Sequence, residues 1–270
     1  MSARAPQPES LEDLYRTFIR ACHILHHQGV LDAYGHLSVR HPHKPDVFIM
    51  SQFIAPGTIS SPADLIEYYI EDARPVDPSA KPGYSERCIH SEILKARPDM
   101  NAVIHSHAPS VIPFASSNVP LQPIFHLGGF LSSKVPVWDI ANHYQPGDKQ
   151  NMLVSNVRFG KALAERFTTE GNETTSVVLM RGHGFTCMAE SIQDCVMRAY
   201  YTQANASVQL SALSMCAGHQ AVTGGAAPTI QYLSESEREG AKDMTMESCM
   251  RPWALWVKEV EAQPLYVLKD

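Results

Sequence analysis

The chain has 270 residues, 44% of them hydrophobic and 19% charged, with a formal net charge of −6. That length suits one large domain or two small ones, and the apolar content excludes intrinsic disorder. The acidic balance offers no basic footprint for nucleic acid and no polybasic patch for a membrane surface, and no apolar run approaches the ~18 residues of a membrane span. The opening stretch from Met1 to Pro8 lacks the apolar core of a secretory signal, so a soluble, cytoplasmic protein is expected. Six cysteines without a C-x-x-C pair argue against a disulfide framework or a zinc ribbon and read as small core residues.

Residues 1–9 are expected to be a frayed N-terminus. From Ser10, the spacing of Leu11, Leu14, Tyr15, Phe18 and Ile19 predicts a helix that runs to His27 and stops at Gly29, with Ser10 as its cap. His23, His26 and His27 on it read as surface or capping residues. Residues 35–40, 47–50 and 64–70 read as strands. A helix is expected over 85–96 with Ser85 as cap, then a buried strand over 102–105 and a helix from Ala108. Residues 135–138 read as a strand confined to an edge by Pro136, 157–167 as a helix, and 176–180 as a strand broken by Gly182 and Gly184. One long helix is expected over 191–213. The Gly-, Ala- and Thr-rich stretch 219–235 reads as a connection, and 247–260 as an amphipathic segment carrying Trp253 and Trp256. Strands mixed with helices on one chain suggest an α/β sandwich of three layers. The expected organisation is one domain over 10–217 and a C-terminal extension over 218–270 ending in an amphipathic helix.

The chemistry concentrates in three short motifs. In His105-Ser106-His107, residues i and i+2 of a strand point to one face, with Cα atoms about 7 Å apart. The pair would emerge at the strand's end, where sites on open sheets form. Alone, such a pair is either a metal-ligand couple or two histidines in a surface turn. Arg181-Gly182-His183-Gly184 follows a continuous apolar strand, and its glycines permit a sharp turn that presents the imidazole. Together the motifs supply a three-imidazole site suited to zinc, manganese, iron or cobalt, with coordination left open for substrate. Glu86, after Tyr84-Ser85, sits in a first helical turn, where a carboxylate either favours the helix dipole or stands beside a metal as general acid/base or labile ligand.

The ordered set Gly35-His36-Leu37-Ser38-Val39-Arg40, Ser85-Glu86, Asn101 to His107 and Arg181 to Gly184 resembles the class II aldolase/adducin head family over roughly residues 10–215. The resemblance implies a three-layer α/β/α sandwich with a mostly antiparallel central sheet. It also implies His105, His107 and His183 as ligands of one divalent metal ion per subunit, zinc or manganese, Glu86 as catalytic acid/base, and a homotetramer. Sugar-phosphate aldolases of the family carry Gly-Asn before the Leu/Ile-Ser step and small hydroxyl residues before the glutamate. Here His36 and Tyr84 stand at those places, which puts the phosphate cradle in doubt. The stretches 32–42, 123–130 and 200–206 look like the family's branch of decarboxylases acting on hydroxylated aromatic or pyridine carboxylates.

On strand alternation His36, Ser38 and Arg40 share a face and are candidates to bind substrate, His36 and Arg40 through a carboxylate, Arg40 as a bidentate fork. His126 beside its Gly-Gly turn and Tyr201 on the long helix are further substrate candidates, with core packing as the competing role of each. His90, one turn from Glu86, reads as mainly structural. The expected function is a metal-dependent carbon–carbon lyase on a small molecule, preferably a decarboxylase of a hydroxylated carboxylic acid. Retro-aldol cleavage of a hydroxyketone is its nearest alternative. An adducin-like interaction module is the rival from another class, although such a module has no need of three ligand-type histidines and an acid.

Overall fold

A computed structural model describes residues 10–168 and 174–269; the segment 1–9, expected to fray, lies outside the described residues. Helix α1 (Leu11–His27) starts where its cap is encoded. The Ser10 hydroxyl accepts from the Asp13 N–H at 3.1 Å, Glu12 and Asp13 complement the N-terminal dipole, and the chain leaves at Gly29 with φ +67°. Leu14, Phe18, Ile19, Cys22 and Leu25 form its buried face. His23 departs from the surface role expected of it: it is buried, with Nε2 2.6 Å from the Ile59 carbonyl oxygen.

Seven strands form one sheet: β1 (His36–Arg40), β2 (Val47–Ser51), β3 (Leu65–Tyr69), β4 (Ala102–Ser106), β5 (Val137–Trp138), β6 (Val177–Met180) and β7 (Gly184–Ala189), in the order β3-β2-β1-β4-β7-β6-β5. Every pairing is antiparallel except β5 with β6. Alternation sorts the side chains into two cores. Leu37, Val39, Ala102 and Ile104 pack with α1, α5 (Ile192–Thr223) and α7 (Met250–Glu261). Met50, Val103, Val178 and Met180 pack with α2 (Arg87–Ala96) and α4 (Val157–Ala164). The result is the three-layer α/β/α sandwich with a mostly antiparallel sheet.

Several boundaries depart from the sequence reading. Strand β7 was not expected: its six residues are all buried, and a strand covered on both faces loses the polar alternation that would mark it. The helix expected from Ala108 is reduced to α3 (Ile112–Ala115). Helix α2 begins one residue later than expected, with Glu86 rather than Ser85 at its N-cap. Helix α5 runs through Gly218 and ends at Gly224 (φ +68°), so the domain boundary expected after 217 falls inside a helix. Helix α6 (Glu235–Glu247) stands on a capping box, Ser234 with Glu237, rather than on an apolar stripe. Trp253, Trp256 and Val260 of α7 join the core of α1 and α5. Five of the six cysteines are buried; Cys216 is half-buried.

Candidate active site

The sheet order brings the scattered motifs to one place. Strand β4 lies between β1 and β7, with His36 opposite His105 and His105 opposite Thr186. His105 is in β4, His107 just beyond its end, and His183 in the turn that joins β6 to β7. Glu86 approaches from the N-terminus of α2. The turn needs its glycines. Gly182 has φ +63° and Gly184 φ +155°, and a Cβ added at Gly184 would lie 2.0 Å from the Ser106 carbonyl oxygen. Gly184→Ala is therefore expected to lower stability by at least about 2 kcal/mol and to displace His183. Urea unfolding and metal content of the purified variant check this.

His105 Nε2 lies 3.1 Å from His107 Nε2 and 3.3 Å from His183 Nε2. Glu86 Oε2 is 3.8 Å from His105 Nε2 and 3.7 Å from His183 Nε2. One ligand atom from each of the four residues lies within 4.8 Å of the others. The far sides of the rings decide what these contacts are. His105 Nδ1 is 3.1 Å from the Phe185 carbonyl oxygen, which only accepts, with the Thr186 hydroxyl at 3.2 Å. His107 Nδ1 is 3.1 Å and 3.2 Å from the two carboxylate oxygens of Asp32. Both Nδ1 atoms therefore carry the proton, and in the neutral rings both Nε2 atoms are lone pairs. Two lone pairs 3.1 Å apart repel unless a cation lies between them. Donors ~2.0–2.1 Å from a common tetrahedral centre stand about 3.3–3.4 Å apart, so the donor set fits a divalent metal ion held by His105, His107 and His183, with Glu86 beside it.

Burial sets the charge state of these groups. The Glu86 carboxyl is pushed up to about 7 by burial, with the Val154 amide, which donates to Oε1 at 2.9 Å, pulling the other way. Burial, reinforced by His107, lowers His183 to about 4, and the Met152 backbone opposes this. His105 is held well below the ordinary range by burial and by the neighbouring imidazoles. Neutral imidazoles are the form that binds a metal. Partial burial acts to raise Asp32, but the Tyr34 and Gly35 amides and His107 hold its carboxyl below the usual range. Asp32 was not singled out in the sequence. The signal for it was the Asx turn into Gly35, where its Oδ1 accepts from the Tyr34 and Gly35 amides at 2.8 Å each. A carboxylate that orients a ligand histidine is the usual outer support of such sites.

The substrate candidates divide. His36 reaches the cluster, its ring 5.1 Å from that of His105. Ser38 is fully buried behind it and bonded to His90, so it presents nothing to a substrate. Arg40 is a correction: its guanidinium donates to the carbonyls of Leu94, Arg97, Met100 and Pro45. It thereby closes the C-terminal end of α2, where unpaired carbonyls accumulate. A cavity of about 500 Å³ beside Arg40, lined also by Asp13, His41, Asn101 and Glu190, lies at this opposite end of β1. His126 is exposed on a short 3₁₀ turn. Tyr201 packs against Tyr200, Phe125 and Trp256 on the α5 side of the sheet, so neither it nor His126 belongs to the four-residue cluster within one chain. Tyr84 is buried with its hydroxyl donating to the Ile54 carbonyl at 2.6 Å.

His90, fully buried in α2, is lowered by burial from 6.5 to about 3. Below 6.5 the unfolded chain binds a proton there that the folded chain does not. The contribution of His90 is thus intact above about 6.5 and is lost on acidification at about 1.4 kcal/mol per pH unit, or about 2 kcal/mol by pH 5. Urea unfolding of the metal-free wild type and of His90→Leu at the two ends of that range checks this: the wild type is expected to lose about 2 kcal/mol more than the variant, since His105, His183 and Glu86 titrate in both.

The same fold is shared by solved structures to which the chain is similar. A model of the class II aldolase and adducin N-terminal domain matches residues 16–210. The chain is 48% identical over 254 residues to the decarboxylase tropJ of Talaromyces stipitatus, with 93% of this chain and 95% of that one covered. It is 30% identical over 199 residues to a 3,4-dihydroxyphthalate decarboxylase of Arthrobacter keyseri, covering 72% and 76%. Among solved structures, an aldolase II superfamily protein from Pseudomonas syringae superposes with a TM-score of 0.71 at 19% identity, covering 97% and 96%. An L-fuculose 1-phosphate aldolase from Glaciozyma antarctica gives 0.71 at 17%, covering 96% and 94%. These two share the fold. The protein is thus an enzyme of lyase type. The chain belongs to the class II aldolase and adducin family. No helix among the described residues is long and apolar enough to cross a membrane.

Proposed function

We propose that the chain is a divalent-metal-dependent decarboxylase of a hydroxylated carboxylic acid, aromatic or related. The observation that carries the reading is the convergence of the His105, His107 and His183 Nε2 atoms with Glu86 Oε2 at 3.7–3.8 Å. A zinc or manganese ion held by the three imidazoles would supply a Lewis acid for the oxygen onto which charge moves as the carbon–carbon bond breaks. Asp32 and the Phe185 carbonyl hold His107 and His105 with their Nε2 lone pairs turned inward. When the carboxylate departs as CO₂, the bonding pair stays on the carbon, and the Glu86 carboxyl delivers the proton that this carbon takes up. Glu86 is then left as a carboxylate that solvent reprotonates. The Val154 N–H fixes one oxygen of Glu86 and leaves Oε2 to face the cluster, and the raised affinity of Glu86 for its proton suits a donor working near neutrality.

Two features favour decarboxylation over phosphate-bearing substrates. Tyr84 fills its position with an aromatic ring and commits its hydroxyl to Ile54, and relatives 48% and 30% identical to the chain carry decarboxylase names. The working form is proposed to be a homo-oligomer of four, which would bury the exposed Met215 and Val222 of the projecting end of α5 and give His126 and Tyr201 a route to a neighbour's substrate. The test is CO₂ release from a panel of hydroxylated aromatic and short-chain hydroxy acids, with and without added zinc or manganese. Metal-dependent CO₂ release from at least one acid supports the reading. Cleavage of a hydroxyketone with no release from any acid would replace it by retro-aldol chemistry.

A further inference from the structure

Behind the cluster, three buried side chains form a hydrogen-bonded line. Ser38 Oγ is 2.7 Å from His90 Nδ1, and His90 Nε2 is 2.7 Å from His36 Nδ1. Ser38 and His90 are fully buried and His36 is 2% exposed. His36 stands beside the cluster, opposite His105 across β1 and β4, with its ring 5.1 Å from His105 and edge-on to Tyr84 at 4.6 Å. Its Nδ1 is turned to His90. Its Nε2, on the other side of the ring, is buried and has no hydrogen-bond partner among the described residues.

A neutral imidazole has one N–H and one lone pair, so the protons along this line run in one of two directions. If His90 Nδ1 donated to Ser38, the hydroxyl hydrogen would need another acceptor, and Ser38 Oγ makes no other hydrogen bond among the described residues. That direction leaves a buried hydroxyl proton unpaired in addition to His36 Nε2. In the other direction Ser38 donates to His90 Nδ1, and His90 Nε2–H donates to His36 Nδ1. His36 then carries its proton on Nε2, and only that group is left seeking a partner. Burial also keeps His90 neutral, at about 3.

We propose that Ser38 and His90 lock His36 as a neutral Nε2–H donor beside the metal-ligand cluster, and that this donor holds an oxygen of the substrate carboxylate that leaves as CO₂. His36 is then a binding residue, and His90 a positioning residue acting through it. The choice of a neutral donor follows from the reaction. The leaving carboxylate loses its charge in the transition state, so a cationic partner would stabilise the ground state more and slow the step, whereas a neutral donor orients the group with less of that penalty. The carboxylate assignment rests on the decarboxylase reading above; the tautomer does not.

The experiment has two arms. In protein labelled with ¹⁵N-histidine, proton–nitrogen correlation spectra, assigned by loss of the signal in His36→Gln, are expected to show His36 protonated at Nε2 and unprotonated at Nδ1. A proton on Nδ1 overturns the proposal whatever the enzyme's substrate is. In calorimetric titration of the zinc-loaded protein, salicylate is the probe and phenol, which lacks the carboxylate, the control. His90→Leu is expected to weaken salicylate about tenfold and leave phenol unchanged. His90→Gln, whose amide oxygen can accept from Ser38 and whose N–H can donate to His36, is expected to restore binding. Equal salicylate affinity in wild type and His90→Leu, or no recovery in His90→Gln, overturns the positioning role. Should His90→Leu not fold, Ser38→Ala replaces it, with a mixed His36 tautomer expected and an unchanged one overturning the relay. Wild type that binds salicylate no more tightly than phenol overturns the carboxylate partner. The absence of CO₂ release from every acid, with the Nε2 tautomer intact, would instead count against the decarboxylase reading.

Discussion

His105→Ala is expected to abolish metal retention and to reduce turnover by more than about a hundredfold, since loss even of an outer support of a ligand costs 10–100-fold. His105 is the hinge of the cluster: its Nε2 is 3.1 Å from that of His107 and 3.3 Å from that of His183. Removing it leaves two imidazoles and the Glu86 carboxyl, whose Oε2 stays 3.7 Å from His183 Nε2, one imidazole short of the three that hold the ion. Collapse of the fold is separable from loss of the ligand. In the wild type, metal at a hundred times its dissociation constant is expected to add about 2.7 kcal/mol of stability. The alanine variant, if folded by circular dichroism, is expected to gain almost none. A variant that keeps stoichiometric metal after dialysis and still turns over would remove His105 from the ligand set.

Glu86→Gln is expected to keep the metal and lose roughly 10²–10⁴ in rate, the usual range for removal of a general acid/base. The substitution is nearly isosteric, and its amide oxygen can still accept from the Val154 N–H that holds Glu86 Oε1 at 2.9 Å. The three histidines are untouched, and what disappears is a group able to release a proton to carbon. Metal analysis beside steady-state rates on one preparation separates the outcomes. Low rate with full metal supports proton delivery. Low rate with lost metal would make Glu86 a ligand first, and full rate would contradict its assigned role.

The class of fold and the four clustered residues were legible in short motifs, because each is local. Two histidines at i and i+2, a histidine between glycines, and a glutamate at a helix start each depend on a few adjacent backbone angles. Alternation also placed His36, Ser38 and Arg40 on one strand face, and they do share it. It said nothing of what each meets there. Arg40 meets the carbonyl end of α2, Ser38 meets His90, and only His36 stands beside His105. Strand β7 carries no such local signal, because burial on both faces erases alternation.

By itself the amino-acid order determined which ligand-type residues sit in short motifs and roughly where α1, α4, α5 and most strands begin, since caps, glycines and side-chain periodicity act within a few residues. The tertiary structure alone decided that β4 lies between β1 and β7, so that His105 meets His183 across 78 positions of chain. It also decided which nitrogen of His105 and His107 carries the proton, through Phe185 and Asp32. Those partners come from strand order and long-range packing. Such contacts are chosen by the burial of whole faces, and no spacing within a short motif encodes them.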